Sequence, residues 1–179
     1  YATLGPDFFT LPCNTAHYFY DELAKAVDVP ILHMPKETVA EIKKRYPKAK
    51  KVGLVATQGT IRDQIYDKEI LAAGYDLAKP SPAVQKMTDE LIYDDIKEQD
   101  VVDGKLFHDL VAQMIKETGC DVVILGCTEL SLAQEREPIT DLPLVDSQST
   151  LVDRTIEWAD KTQKQKWSER EPRCSAPYK

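Results

Sequence analysis

Two cysteines in this 179-residue chain stand in matching settings. Cys127 closes the stretch Asp121-Val122-Val123-Ile124-Leu125-Gly126 and opens Thr128-Glu129-Leu130; Cys13 closes Asp7-Phe8-Phe9-Thr10-Leu11-Pro12 and opens Asn14-Thr15. In each, an acid stands six positions before the cysteine, an apolar run predicts a short buried strand, and a polar turn follows. A thiol at a helix N-terminus has its thiolate stabilised by free N–H groups and the helix dipole, so both pKa values are expected to fall. One such cysteine suggests a nucleophile. Two, from related units, suggest that a substrate held between them loses a proton to one and regains it from the other on the opposite face. That is racemisation or epimerisation by general acid/base chemistry, with no cofactor and no metal required.

Other assignments fail on particular residues. A phosphatase loop wants an arginine six positions after the cysteine, where this chain has Phe19 and Ala133. His17, His33 and His108 have no spacing that identifies a protease partner, and no C-x-x-C is present for zinc or dithiol redox chemistry. Cys120, near a helix end with no polar turn after it, reads as a small packing residue, and Cys174 as an exposed thiol in the tail. His17 reads as a solvated helix residue, with tuning of the Cys13 thiol as the alternative.

Strands and helices alternate around these turns. The periodicity predicts strands at Asp7–Leu11, Val29–Met34, Lys51–Ala56, Tyr75–Ala78, Val122–Gly126 and Leu142–Val145. It predicts helices near Ala16–Val27, with Phe19, Leu23 and Val27 as the apolar stripe, and Lys36–Tyr46, Ile61–Ala73, Lys105–Glu117 and Ser149–Lys161. A further helix follows Pro80-Ser81-Pro82 through Ile92 and Ile96, and a short one follows Glu129. Such alternation marks a parallel sheet covered on both faces, in which ligands sit beyond the carboxyl ends of the strands. Cys13, Thr57, Thr60 and Cys127 all fall there. Thr57-Gln58-Gly59-Thr60 offers N–H groups and hydroxyls to an anion, a carboxylate as readily as a phosphate, but lacks the glycine patterns of nucleotide loops.

With 42% hydrophobic and 30% charged residues and a net charge of −7, the chain lacks the basic stripe of a nucleic-acid surface. No apolar run reaches the roughly 20 residues of a membrane span. A cytoplasmic location with reduced thiols is expected, and residues 163–179 read as a loose polar tail.

The plan of acid, strand, cysteine, turn, helix and proline-bearing strand occurs twice, at Cys13 with Val29-Pro30-Ile31 and at Cys127 with Leu142-Pro143-Leu144. The second copy is preceded by a strand, a loop and three helices, the first by almost nothing. By that symmetry roughly 60 residues of a first lobe are expected to be absent. The expected division is a remnant of that lobe in 1–29 plus 142–162, and a complete second lobe in 30–141.

Pro12-Cys13-Asn14-Thr15-Ala16-His17, Ala56-Thr57-Gln58-Gly59-Thr60 and Gly126-Cys127-Thr128-Glu129-Leu130 together resemble the aspartate/glutamate racemase family of cofactor-independent amino-acid racemases. The resemblance implies an α/β fold of two pseudo-symmetric lobes, each with a flavodoxin-like three-layer parallel sheet, here with the first lobe incomplete. It implies Cys13 and Cys127 as the catalytic thiol/thiolate pair. Asn14, Thr15, Thr57, Gly59, Thr60, Thr128 and Glu129 would then hold the substrate's carboxylates and ammonium, and Lys97 the side-chain carboxylate of aspartate. The implied partner is a small amino acid, aspartate or glutamate, with a homodimer compatible but undetermined. Two alternatives stand beside it: a cysteine-dependent isomerase or decarboxylase of small dicarboxylates, and a truncated, non-catalytic remnant. The family's Gly-rich opening strand and loop, and the arginine that follows, have no counterpart in this sequence.

Overall fold

The computed structural model describes residues 2–168. It is an α/β structure whose strands all pair in parallel. The central sheet has the order β4 (Asp76–Ala78), β3 (Lys51–Ala56), β5 (Val122–Gly126), β6 (Leu144–Asp146). A separate two-stranded sheet pairs β1 (Phe9–Thr10) with β2 (Ile31–Leu32). β3 and β5 are buried almost end to end and pair from Val52 with Val122 to Ala56 with Gly126. They read as continuous apolar runs because helices cover both faces.

Alternate residues feed two core layers. Val55, Val123 and Leu125 pack with Phe107, Leu110 and Met114 of α6 (Gly104–Thr118), whereas Leu54, Val122 and Ile124 pack with Ile42 of α2 (Met34–Arg45) and with Tyr66 and Ile70. Asp103 caps α6 by accepting from the Leu106 N–H, and Gly119 ends it in the left-handed conformation at φ 64°. A third cluster of Leu32, Met34 and Leu151, flanked by Phe8 and Trp158, joins the small sheet to α8 (Ser147–Ser168).

Several elements differ from expectation. α1 (Tyr20–Ala26) buries none of its residues, and Phe19 and Leu23 of the expected stripe are 52% and 41% exposed. Among the described residues nothing covers that side. The helix expected over 61–73 is broken into α3 (Gln58–Arg62) and α4 (Asp67–Ala72), because Gln64 adopts a positive φ of 55° that a right-handed helix cannot continue through. α5 (Pro82–Asp89), capped by Ser81, passes into a π-helical segment, Glu90–Glu98. α8 continues to Ser168, so residues 163–168 are helical where a tail was expected; its Lys- and Gln-rich sequence is sound helix former. The rest of the expected tail, with Cys174, lies outside the described residues. β2 pairs with β1 in the small sheet, and β6 lies at the edge of the four-stranded sheet. Among the described residues no helix is long and apolar enough to cross a membrane.

Candidate active site

Cys127 follows β5 and occupies the N-cap position of α7 (Thr128–Arg136). Gly126 lets the strand end pack closely: a Cβ there would stand 2.9 Å from Leu54 Cδ1 and 3.0 Å from Ala56 Cβ. The Cys127 thiol donates to Glu129 Oε2 at 2.7 Å, and Thr128 Oγ1 donates to the same oxygen at 3.1 Å. Lys97, from the π-helical segment, sets its ammonium 3.4 Å from Glu129 Oε1 and 4.8 Å above the Tyr93 ring. The cluster therefore brings together Cys127, Thr128, Glu129 and Lys97.

The thiol's acidity moves opposite to expectation. Burial, followed by the hydrogen bond and charge of Glu129, pushes the Cys127 thiol up to about 12. A thiol on a residue only 6% exposed, beside an anion, loses more from desolvation and repulsion than one helix terminus returns. Burial works against ionised Glu129 as well, but hydrogen bonds from Cys127 and Thr128 and the charge of Lys97 outweigh it and hold its carboxyl below the usual range. The pair rests as thiol and carboxylate.

Cys13 is exposed and precedes only a 3₁₀ turn, Thr15–Phe19, not an α-helix. Its N–H donates to Leu11 O at 2.8 Å. Asn14 sits at the cap position but makes no capping bond, because its side chain is 3% exposed and turned inward. Its Oδ1 accepts from the Tyr66 hydroxyl and its Nδ2 donates to Ser147 Oγ at 3.2 Å. His17 is buried rather than solvated. It bonds the Cys13 carbonyl oxygen through Nδ1 at 2.8 Å, not the thiol, and its Nε2 accepts from the Met34 N–H at 3.1 Å. Burial lowers its pKa, and an Nε2 that accepts requires the neutral ring with its proton on Nδ1.

Thr15 carries the first turn to the end of β3. Its Oγ1 lies 2.8 Å from Thr60 Oγ1 and 3.4 Å from Thr57 Oγ1, and Thr57 donates to Thr60 at 3.1 Å. Gly59 completes the wall, since a Cβ there would stand 3.4 Å from Thr15 Cγ2. α3 is only five residues long, so its dipole adds little to anion binding; the three hydroxyls are the polar content of this corner.

Some participants carried little or no sequence signal. Tyr66 and Ser147 hold Asn14 from 52 and 133 positions away. Ser147 follows the carboxyl end of β6, which is the one cue that points to it. Asp146, which no motif marks, caps α8 by accepting from the N–H groups of Gln148 and Ser149 and also accepts from Ser131 of α7. The acid before the second cysteine serves elsewhere: Asp121 accepts from the N–H groups of Lys50 and Lys51 at the opposite end of the sheet.

Comparison with known proteins places this arrangement. The family model for Asp/Glu/Hydantoin racemase matches residues 1–155. The broad specificity amino-acid racemase RacX of Bacillus subtilis (strain 168) is 30% identical over 152 residues, covering 85% of this chain and 64% of its own length. A glutamate racemase of Aquifex pyrophilus is 28% identical over 153 residues, 82% of this chain and 56% of the relative. The chain thus spans less than two thirds of the length of either. An aspartate racemase homologue from Pyrococcus horikoshii OT3 superposes with a TM-score of 0.73 at 25% identity, over 88% of this chain and 69% of that one. On the extent of that family match, the two-lobe α/β fold and the cysteine turns in order, the chain belongs to the Asp/Glu/Hydantoin racemase family.

Proposed function

We propose that the chain carries the thiol chemistry of a cofactor-independent amino-acid racemase acting on aspartate or glutamate, with Cys13 and Cys127 as the two proton-transfer groups. The observation that carries this reading is the Cys127 thiol at the carboxyl end of β5, bonded at 2.7 Å to an ionised Glu129. A thiol held protonated in this way is poised as the acid. In one direction Cys13, as thiolate, removes the α-proton, and Cys127 delivers its own proton to the other face of the carbanion. The reverse direction starts from the state that this turnover leaves, with Cys127 as the thiolate and Cys13 as the thiol.

The remaining polar groups suit an acidic amino acid. The Thr15, Thr57 and Thr60 hydroxyls supply donors for a carboxylate, and Lys97 supplies the charge for a second one, which would compete with Glu129 for the ammonium. Thr128 stays with Glu129. The test is deuterium incorporation at the α-carbon of L- and D-aspartate and L- and D-glutamate in deuterated water. It is run on this chain and on any longer gene product that contains it. Exchange from both enantiomers is expected, with interconversion of the enantiomers lost in Cys13→Ser and in Cys127→Ser; a folded protein that exchanges neither amino acid overturns the assignment.

A further inference from the structure

We propose that Tyr66 and Ser147 are positioning residues for the Cys13 turn, acting through Asn14 to fix where that turn stands relative to the end of β5 that presents Cys127. For its catalytic consequence the inference rests on the two-cysteine reading. The geometry itself does not.

Cys13 and Cys127 follow strands of different sheets, so no ladder of backbone hydrogen bonds sets their separation. An unbroken polar chain does connect them. Asn14, the residue after Cys13, donates from Nδ2 to Ser147 Oγ at 3.2 Å, and Ser147 Oγ donates to Leu125 O at 2.8 Å, two residues before Cys127. The Tyr66 hydroxyl donates to Asn14 Oδ1 from the other side. Because the Ser147 proton is committed to Leu125 O, the serine oxygen can only accept from Asn14, and this fixes which way the amide faces.

Each member of the chain is buried, with Tyr66 and Ser147 fully inaccessible. Tyr66 packs its ring among Ile42, Leu54 and Ile70 and meets Asn14 with its hydroxyl. Burial also raises its pKa, so the phenol remains a donor across the working pH range. A donor, an acceptor and an amide sealed in an apolar site have no water to fall back on, so they hold one arrangement. The Thr15 hydroxyl contacts tie the same turn to β3, and His17 ties it to α2. Among the described residues, only the Asn14 chain reaches β5. Two-base transfer needs both thiols aligned with one α-carbon, and misplacement by about 1 Å can cost on the order of a hundredfold in rate.

The test uses Tyr66→Phe and Ser147→Ala, each alone and combined with Asn14→Ala, with Ser147→Thr as the variant that keeps the hydroxyl. Two quantities are measured on protein whose thermal unfolding remains cooperative: hydrogen exchange at the Cys13 and His17 amides, and the kcat and KM of α-proton exchange on aspartate and glutamate. Tyr66→Phe and Ser147→Ala are each expected to speed exchange at those two amides roughly tenfold, as loss of one buried hydrogen bond implies, while α6 amides are unchanged. They are expected to lower kcat more than they raise KM, to add nothing in the Asn14→Ala background, and to be restored by Ser147→Thr. Unchanged amide exchange at Cys13 and His17 overturns the proposal, even if kcat falls. If the unsubstituted protein turns over neither amino acid, the racemase reading fails, and the amide exchange still decides this one. Should Tyr66→Phe fail to fold, the serine pair gives the same decision.

Discussion

Cys127 and Glu129 hold opposite protonation states for one physical reason: a proton between a buried sulfur and a carboxylate is best left on the sulfur while Lys97 and Thr128 keep the carboxylate ionised. Replacing Glu129 with Gln removes the neighbouring anion but not the burial, which is the larger cause. The Cys127 pKa is expected to fall yet stay above its ordinary value, so alkylation of Cys127 by iodoacetamide at pH 9 should quicken by roughly tenfold for each unit lost. Peptide mass mapping separates it from the exposed Cys13. An unchanged rate would show that Glu129 does not hold the thiol's proton. The same shift makes stability pH-dependent with a definite sign. A thiol with a folded pKa near 12 keeps its proton where the unfolded thiol, near 8.5, has lost it. The native state then binds more protons, so stability declines as pH rises through that window. Cys127→Ala should flatten the decline in denaturant titrations between pH 8.5 and 11.

His33 presents the mirror case. Its Nδ1 accepts from the Lys36 N–H and caps α2, and burial, with the nearby His17 adding, lowers its pKa to about 4. The unfolded histidine takes up its proton near 6.5, so the unfolded state binds more protons below that pH. The stability is complete above 6.5 and is lost as pH falls toward 4. Replacing His33 with Asn keeps a capping acceptor and removes the titration. The loss of stability between pH 6.5 and 4 should shrink in chemical denaturation, leaving the smaller contribution of His17. A slope identical to that of the unsubstituted protein would rule out the half-buried His33 ring as its source.

Among the elements, those whose local and global preferences agree were legible: β3 and β5 as apolar runs between turn signals, and α6, which extends one residue beyond its expected bounds at each end. The break at Gln64 was not, since glutamine carries no turn chemistry and only the packed structure forces its φ positive. The π-helical segment that presents Lys97 has no compositional mark either. At the site, the cysteine turns were readable because strand ends and caps are local. The bonds that anchor Asn14 were not, because they join residues far apart in sequence. The acidity of Cys127 runs against its local setting for a related reason: the dipole is written in the local sequence, whereas burial is a property of the assembled core. Gly126 shows how tightly the element carrying Cys127 is set. A methyl there would press on Leu54 and Ala56 and approach Val55 O to 3.4 Å, and strand backbone cannot yield as a side chain tip can. Gly126→Ala is expected to cost about 1–3 kcal/mol in urea denaturation and to move Cys127 enough to slow proton exchange. A neutral effect on both would mean that the strand end has slack the packing does not suggest.

At the scale of the whole molecule, the two sheets differ in how they are held. The four-stranded sheet has buried layers on both faces, while β1 and β2 form a two-residue parallel pair, a unit that is marginal without outside support. Its apolar support is the small cluster of Leu32, Met34 and Leu151 with Phe8 and Trp158, and its neighbouring helix α1 buries nothing. Local opening of the Cys13 side is therefore expected at lower free energy than unfolding of β3 and β5. In native-state hydrogen exchange the Phe9 amide, bonded to Pro30 O at 2.9 Å, should exchange through a local opening with weak denaturant dependence. The amides of residues 122–126 should instead track global unfolding. Truncating Leu151 to Ala removes a 3% exposed side chain from that cluster, a change that typically costs about 2–5 kcal/mol. The loss should appear at residues 9–10 and 31–32 well before it appears in β5. Uniform acceleration across both sheets would show instead that the molecule opens as one cooperative unit, with the thiol of Cys13 held as firmly as that of Cys127.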